Sequence, residues 1–222
     1  MKISLEDASI AFAKAPEANA VKALQKQLKV FSTVALLPKI AELLITGGIP
    51  EKIARNCKIA HVHPAFPGKS EIIKTCTMFF EHLAHHGHNQ ELHSLLTRPN
   101  VKQAGLETMM VGLNKDTDGK TALMTMKAGT ALVNSRILDS KDKFACDQIQ
   151  GKSGPKGDKE ASAEKFIGAV LSTIKKFEDE DIQVAGLNLL TAAANMDKGF
   201  IQYIIAQGGT TLAVSNLESM NT

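Results

Sequence analysis

Apolar residues recur at steps of three and four along most of the chain, the spacing that gathers them on one face of an α-helix. In the C-terminal third, from Ala161, the residues Phe166, Ile167, Val170, Leu171, Ile174 and Phe177 form such a stripe, with Ser162 placed to cap its first turn. The acidic run Glu178-Asp179-Glu180-Asp181 suits the positive N-terminus of a following helix, whose stripe is Ile182, Ala185, Leu189 and Ala193. A short third helix, Phe200 to Ala206, is broken by Gly208-Gly209, and Leu212, Val214 and Leu217 open a further apolar run.

The N-terminal region repeats that grammar. Leu24, Leu28, Phe31, Ala35 and Leu36 form one stripe, Pro38 sets a turn into a second with Ile40, Leu43 and Leu44, and Gly47-Gly48 separates it from Ile49 and Ile53. The two diglycine breaks lie 161 residues apart (209 minus 48). Divided into four, that distance gives a helical repeat of about 40 residues, the period of an α-solenoid.

The run IQVAGLNLLTAAANMDKGFIQYIIAQGGTTLAVSNL resembles an armadillo repeat, in which one helix reads approximately Ala-Leu-x-x-Leu-x-Asn-Leu-Ala and the next follows a Gly-Gly-Ile or Gly-Ala-Ile break. Ala185, Leu189, Ala193, Gly208, Gly209, Leu212 and Val214 match, as do Leu28, Phe31, Val34, Ala35, Gly47, Gly48 and Ile49 in the first unit. A second unit reads through Cys76, Phe80, Leu83 and Ala84 with a third helix at Val101 to Met110, and Thr121 to Leu138 resembles a degenerate third helix. The resemblance implies an all-α fold: a right-handed α-solenoid of about four armadillo-like, or HEAT-like, three-helix repeats, with residues 1–222 as a single domain. Two polar, Pro- and Gly-bearing stretches interrupt it, an inter-repeat loop at 61–69 (HVHPAFPG at its centre) and a flexible loop at about 148–160 (GKSGPKGDKE) within the polar segment from Asp139 to Glu160.

Composition narrows the function. Of 222 residues 44% are hydrophobic and 22% charged, which suits a folded chain with a substantial core. There is no Trp and one Tyr, and Arg55, Arg98 and Arg136 are the only arginines among 26 basic residues, so the side chains most used as binding anchors are scarce. The net charge is +3, with 13 basic and 9 acidic residues before position 112 and 13 and 14 after it. Without a basic cluster or aromatic platforms, nucleic-acid binding is not expected. Cys57, Cys76 and Cys146 are odd in number and lack CxxC spacing, which argues against a disulfide framework and for a reducing compartment; Cys76 falls in a helical stripe as a small core residue. The longest apolar runs are broken by Pro38, Lys39 and Glu42, well short of a membrane span. Glu6 and Asp7 argue against a secretory or transit peptide at the N-terminus.

Five of seven histidines fall between His82 and His93, and His82 and His86 stand one helical turn apart, the spacing of two zinc ligands. A zincin carries Glu directly after the first of these, where this chain has Leu83. The reading preferred here is a wet helix end before Gly87, with a metal-dependent activity of the His82–His93 cluster as the alternative. Asn114 to Gly119 opens like a calcium loop but has Thr125 in place of the bidentate Glu, so a capped turn is expected. GKSGPKG lacks the order of a phosphate loop. No catalytic residue, cofactor or metal is assigned.

In armadillo proteins an Asn near the end of each groove helix bonds an extended peptide. The matching positions here are Thr33, His82 and Thr191, and none is Asn. The resemblance therefore implies a non-enzymatic scaffold or adaptor that binds other proteins, through that groove or through an apolar end at Leu212, Val214 and Leu217. By analogy with other small arrays it would be a subunit of a larger cytoplasmic assembly, cytoskeletal or ciliary in kind.

Overall fold

The computed structural model describes residues 4–15, 17–63, 66–145, 160–212 and 214. Eleven helices account for most of them: α1 (Leu5–Lys14), α2 (Ala18–Val34), α3 (Pro38–Thr46), α4 (Ile49–Val62), α5 (Lys69–Ala84), α6 (Gln90–Leu96), α7 (Pro99–Gly112), α8 (Gly119–Asn134), α9 (Ala163–Lys176), α10 (Glu180–Met196) and α11 (Lys198–Ala206). The fold is all-α, with one small addition. Strands β1 (Lys143–Ala145) and β2 (Glu160–Ser162) form a three-residue antiparallel pair between α8 and α9, with Phe144 opposite Ala161.

The sequence punctuates these helices by a few devices. Ser4 and Asp7 form a capping box on α1, and the side chains of Asn89, Asp118, Ser162, Asp179 and Asp197 accept from the first free N–H groups of α6, α8, α9, α10 and α11. Proline occupies the first turn of α3, α4 and α7, where a missing N–H costs nothing. Gly48 and Gly208, one in each diglycine break, both take positive φ (69° and 76°) immediately before a helix resumes.

The helices lie in two rows. In one row α2 packs on α5, α5 on α8 and α8 on α10; in the other α1, α4, α7 and α9 follow one another, and each of these also packs on the first-row helix after it. The short α3 packs on α6. Neighbours within a row run parallel, since Asp118 at the start of α8 meets Ser70 at the start of α5, and Ser135 beyond the end of α8 meets Gly87 beyond the end of α5. One continuous core fills the space between the rows, with Phe12, Phe79, Phe80, Phe166 and Phe200 almost wholly buried.

Several expectations change. First-row helices begin at 18, 69, 119 and 180, steps of 51, 50 and 61, so the distance between the diglycine breaks holds three steps, the last lengthened by the β excursion, and not four of 40. The segment from Thr121 lies in α8, in the same row as α2, α5 and α10, and is not a third helix. The loop expected at 61–69 is shorter, because His61 and Val62 finish α4 and Lys69 opens α5. Ser162 caps its helix as expected, but Ala161 belongs to β2. Leu36 and Leu43, assigned to apolar stripes, are 44% and 66% exposed because they stand where the first row and the line of short helices end. Most of the loop expected at 148–160 lies outside the described residues.

Candidate interaction surface

The first row presents a solvent face built from i, i+3 and i+4 positions of α2, α5, α8 and α10. A shallow depression of about 410 Å³ lies on it, lined by Glu81 of α5, Leu123, Lys127 and Thr130 of α8, and Asp181, Val184, Ala185 and Asn188 of α10. Its lining combines three apolar side chains with two carboxylates, one ammonium group, one hydroxyl and one amide. Of these residues only Ala185 falls on the armadillo-like pattern. The available signal was spacing: Val184, Asn188 and Thr191 recur on one face of α10, as Leu123, Lys127 and Thr130 do on α8.

The three groove positions fare differently. Thr33 is exposed and its hydroxyl donates to the carbonyl oxygen of Lys29 at 2.9 Å, within its own helix. Thr191 is exposed on α10, one turn beyond Asn188. His82 is partly buried and engaged with the neighbouring helix: its Nδ1–H donates to the carbonyl oxygen of Ser32 at 2.7 Å, and the Ser32 hydroxyl lies 3.3 Å from the same nitrogen. A carbonyl can only accept, so Nδ1 carries the proton. One turn on, His86 Nε2–H donates to the carbonyl oxygen of Ala35 at 2.8 Å. The two histidines thus satisfy carbonyls at the end of α2 that no residue of α2 itself could reach. The His82 ring also lies 6.3 Å from that of His85. Among the described residues no three His, Cys, Asp or Glu side chains are grouped to hold a metal ion.

Several polar contacts tie the stretch from α2 to α4 to the stretch that follows it at a nearly constant separation. Ser32 and His82 are 50 residues apart, Ala35 and His86 51, Glu51 and Asn100 49, and His61 and Asn114 53. Lys58 of α4 pairs with Glu107 of α7 across the second row, again 49 apart, with the carboxylate only 7% exposed. Close packing follows the same geometry. A Cβ on Gly129 of α8 would stand 2.6 Å from Phe166 Cζ and 2.8 Å from Leu189 Cδ1, so glycine there is what lets α8 approach α9 and α10.

Glu71 of α5 is held below the usual carboxylate range by Lys74, 2.8 Å away, and by Lys29 of α2 at 3.4 Å. Burial raises Asp118, but hydrogen bonds from Ser70 and Thr121 outweigh it and leave its carboxyl lowered; this is the capped turn expected at Asn114–Gly119. Burial, reinforced by the charge of Lys69 and opposed by Asp116, lowers His61. Cys57 and Cys76 are buried free thiols, and burial beside Cys57 pushes Cys76 well up, consistent with an inert core residue.

At the C-terminal end Val214 is 54% exposed, Leu212 packs partly against the core, and Leu217 lies outside the described residues. Ile201 and Ile205 of α11 add to the exposed apolar surface there. No helix among the described residues is long and apolar enough to cross a membrane. No protein-family model matches the chain, and neither a curated protein nor a solved structure matches it.

Proposed function

We propose that this chain is an armadillo-like helical array of four units that acts as a non-enzymatic scaffold or adaptor, holding other proteins on its first-row face or at its ends. The observation that supports this reading is the order of the helices: first-row helices begin at 18, 69, 119 and 180, each packs on the next, and the first two units are joined by five contacts 49 to 53 residues apart, as stacked tandem units would be. The units read as α2–α3–α4, α5–α6–α7, α8–α9 with the β pair in place of a short helix, and α10–α11 with the turn from Gly209. An extended face of this kind offers contact area without a deep pocket, and the depression around Lys127 is open and shallow. With short arrays the ends matter as much as the face, so membership in a larger cytoplasmic, cytoskeletal or ciliary assembly belongs to the same proposal.

Native capture with the untagged-histidine protein as bait tests it, combined with elemental analysis of the purified chain. The reading expects a protein partner retained near stoichiometry. A stoichiometric metal that disappears in the His82→Ala, His86→Ala double variant, with no protein retained, would replace it by the metal-dependent alternative.

A further inference from the structure

The most exposed large apolar side chain among the described residues is Leu43, at 66%, and it does not stand alone. Leu37 is 55% exposed and Leu36 44%, both at the entrance of α3, and Val30 on the last turns of α2 is 50% exposed. Leu43 stands on α3 one turn after the partly buried Ile40, and Leu36 and Leu37 lead into the first turn of the same helix. Inside the array α3 is covered by α6 and α4. Its other flank begins the line of short helices.

We propose that this flank is a self-association surface and that its occupant is a second copy of this chain, docked with the two α3 helices antiparallel about a two-fold axis. The charge pattern selects that occupant. Lys39 and Glu42 are both exposed and lie one turn apart beside Leu43. An antiparallel pairing sets Leu36 and Leu37 of each copy against Leu43 of the other and brings each Lys39 to the opposite Glu42, so apolar and charged positions are both self-complementary. Contiguous exposed apolar residues rimmed by charge are the usual mark of such a contact. The packing of α3 on α6 already shows that this short helix can serve as one side of a helix pair. The inference is independent of what the first-row face holds.

Sedimentation equilibrium of the full chain, at concentrations rising from about 1 µM to about 1 mM, tests it over the affinity range of small interfaces. The expected result is a reversible monomer–dimer equilibrium. Leu43→Glu, at a position too exposed to disturb folding, returns the monomer. Lys39→Glu and Glu42→Lys each weaken the dimer about tenfold or more, because each sets like charges together at both symmetric positions, and the two combined in one chain restore it. A wild-type monomer throughout overturns the proposal, as does a dimer that persists in Leu43→Glu or that ignores the charge reversals.

Discussion

His82 on α5 donates its Nδ1–H to the carbonyl oxygen of Ser32 on α2 at 2.7 Å, so a ring from one first-row helix caps the end of the helix before it in the row. His86 does the same for Ala35. Ser32 and Ala35 are almost wholly buried, so a carbonyl stripped of its donor is left unsatisfied, and each loss costs about 1–3 kcal/mol, the pair less than the sum because the two sites are neighbours. Denaturant unfolding of His82→Ala, His86→Ala and the double variant measures it. Variants as stable as the wild type would show that the two bonds contribute nothing.

Gly129 makes a sharper demand on packing. In the interior of a helix Gly→Ala ordinarily stabilises by up to about 1 kcal/mol. Here the added methyl meets Phe166 and Leu189, both fully buried, and neither has space to withdraw. Gly129→Ala is expected to destabilise by about 1–3 kcal/mol, the cost of overpacking a core. Thermal unfolding decides: a raised melting temperature would mean that α8 does not approach α9 and α10 as closely as described.

Lys58 and Glu107 form an ion pair largely withdrawn from solvent, and Gln103 donates a further bond to the same carboxylate at 3.0 Å. Lys58→Met leaves Glu107 buried without its cation and should cost about 3 kcal/mol, whereas Lys58→Met combined with Glu107→Leu should recover most of the loss. Equal losses in the single and double variants would mean that the pair is not coupled.

His61 gives the fold a pH dependence of definite sign. Burial first, then the charge of Lys69, lower it from 6.5 in the folded state, and Asn114 Nδ2 lies 3.3 Å from its Nε2. Below 6.5 the unfolded chain takes up this proton more readily than the folded one, so the stability is complete above that pH and is lost as pH falls toward the lowered value. Wild type and His61→Gln melted at pH 7.5 and 5.5 should differ, the wild type losing more on acidification. The same loss in both would remove His61 as a cause.

What the sequence discloses depends on where a helix sits. The stripes of α9 and α2, one apolar face each, are plain at spacings of three and four, and Gly48 and Gly208 mark real breaks in left-handed conformation. Helix α7 in the middle buries several faces at once: Val101, Ala104, Leu106, Thr108, Met109 and Val111 lie all round it. The buried stripe of α8 includes Thr121, Thr125 and Gly129, which do not read as apolar, so the pattern fades in that region. Helix α1 lies outside the stripes read from spacing, although Ser4 and Asp7 box its start and Leu5, Ala8 and Phe12 are its buried stripe. The candidate surface was less legible still. Whether Leu43 is core or surface depends on its place at an end, and whether His82 faces solvent or a neighbour depends on a residue 50 positions away. Spacing along one helix records neither.

The central claim is that the row formed by α2, α5, α8 and α10 is a protein-binding face, and paired capture experiments address it most directly. The bait is the full chain, once as wild type and once as Lys127→Glu, Asn188→Asp, Thr191→Asp, with the two melting temperatures matched. The prediction is a protein held near stoichiometry by the wild type and lost from the variant. Identical proteins at identical abundance on both baits, or none on either, would contradict it.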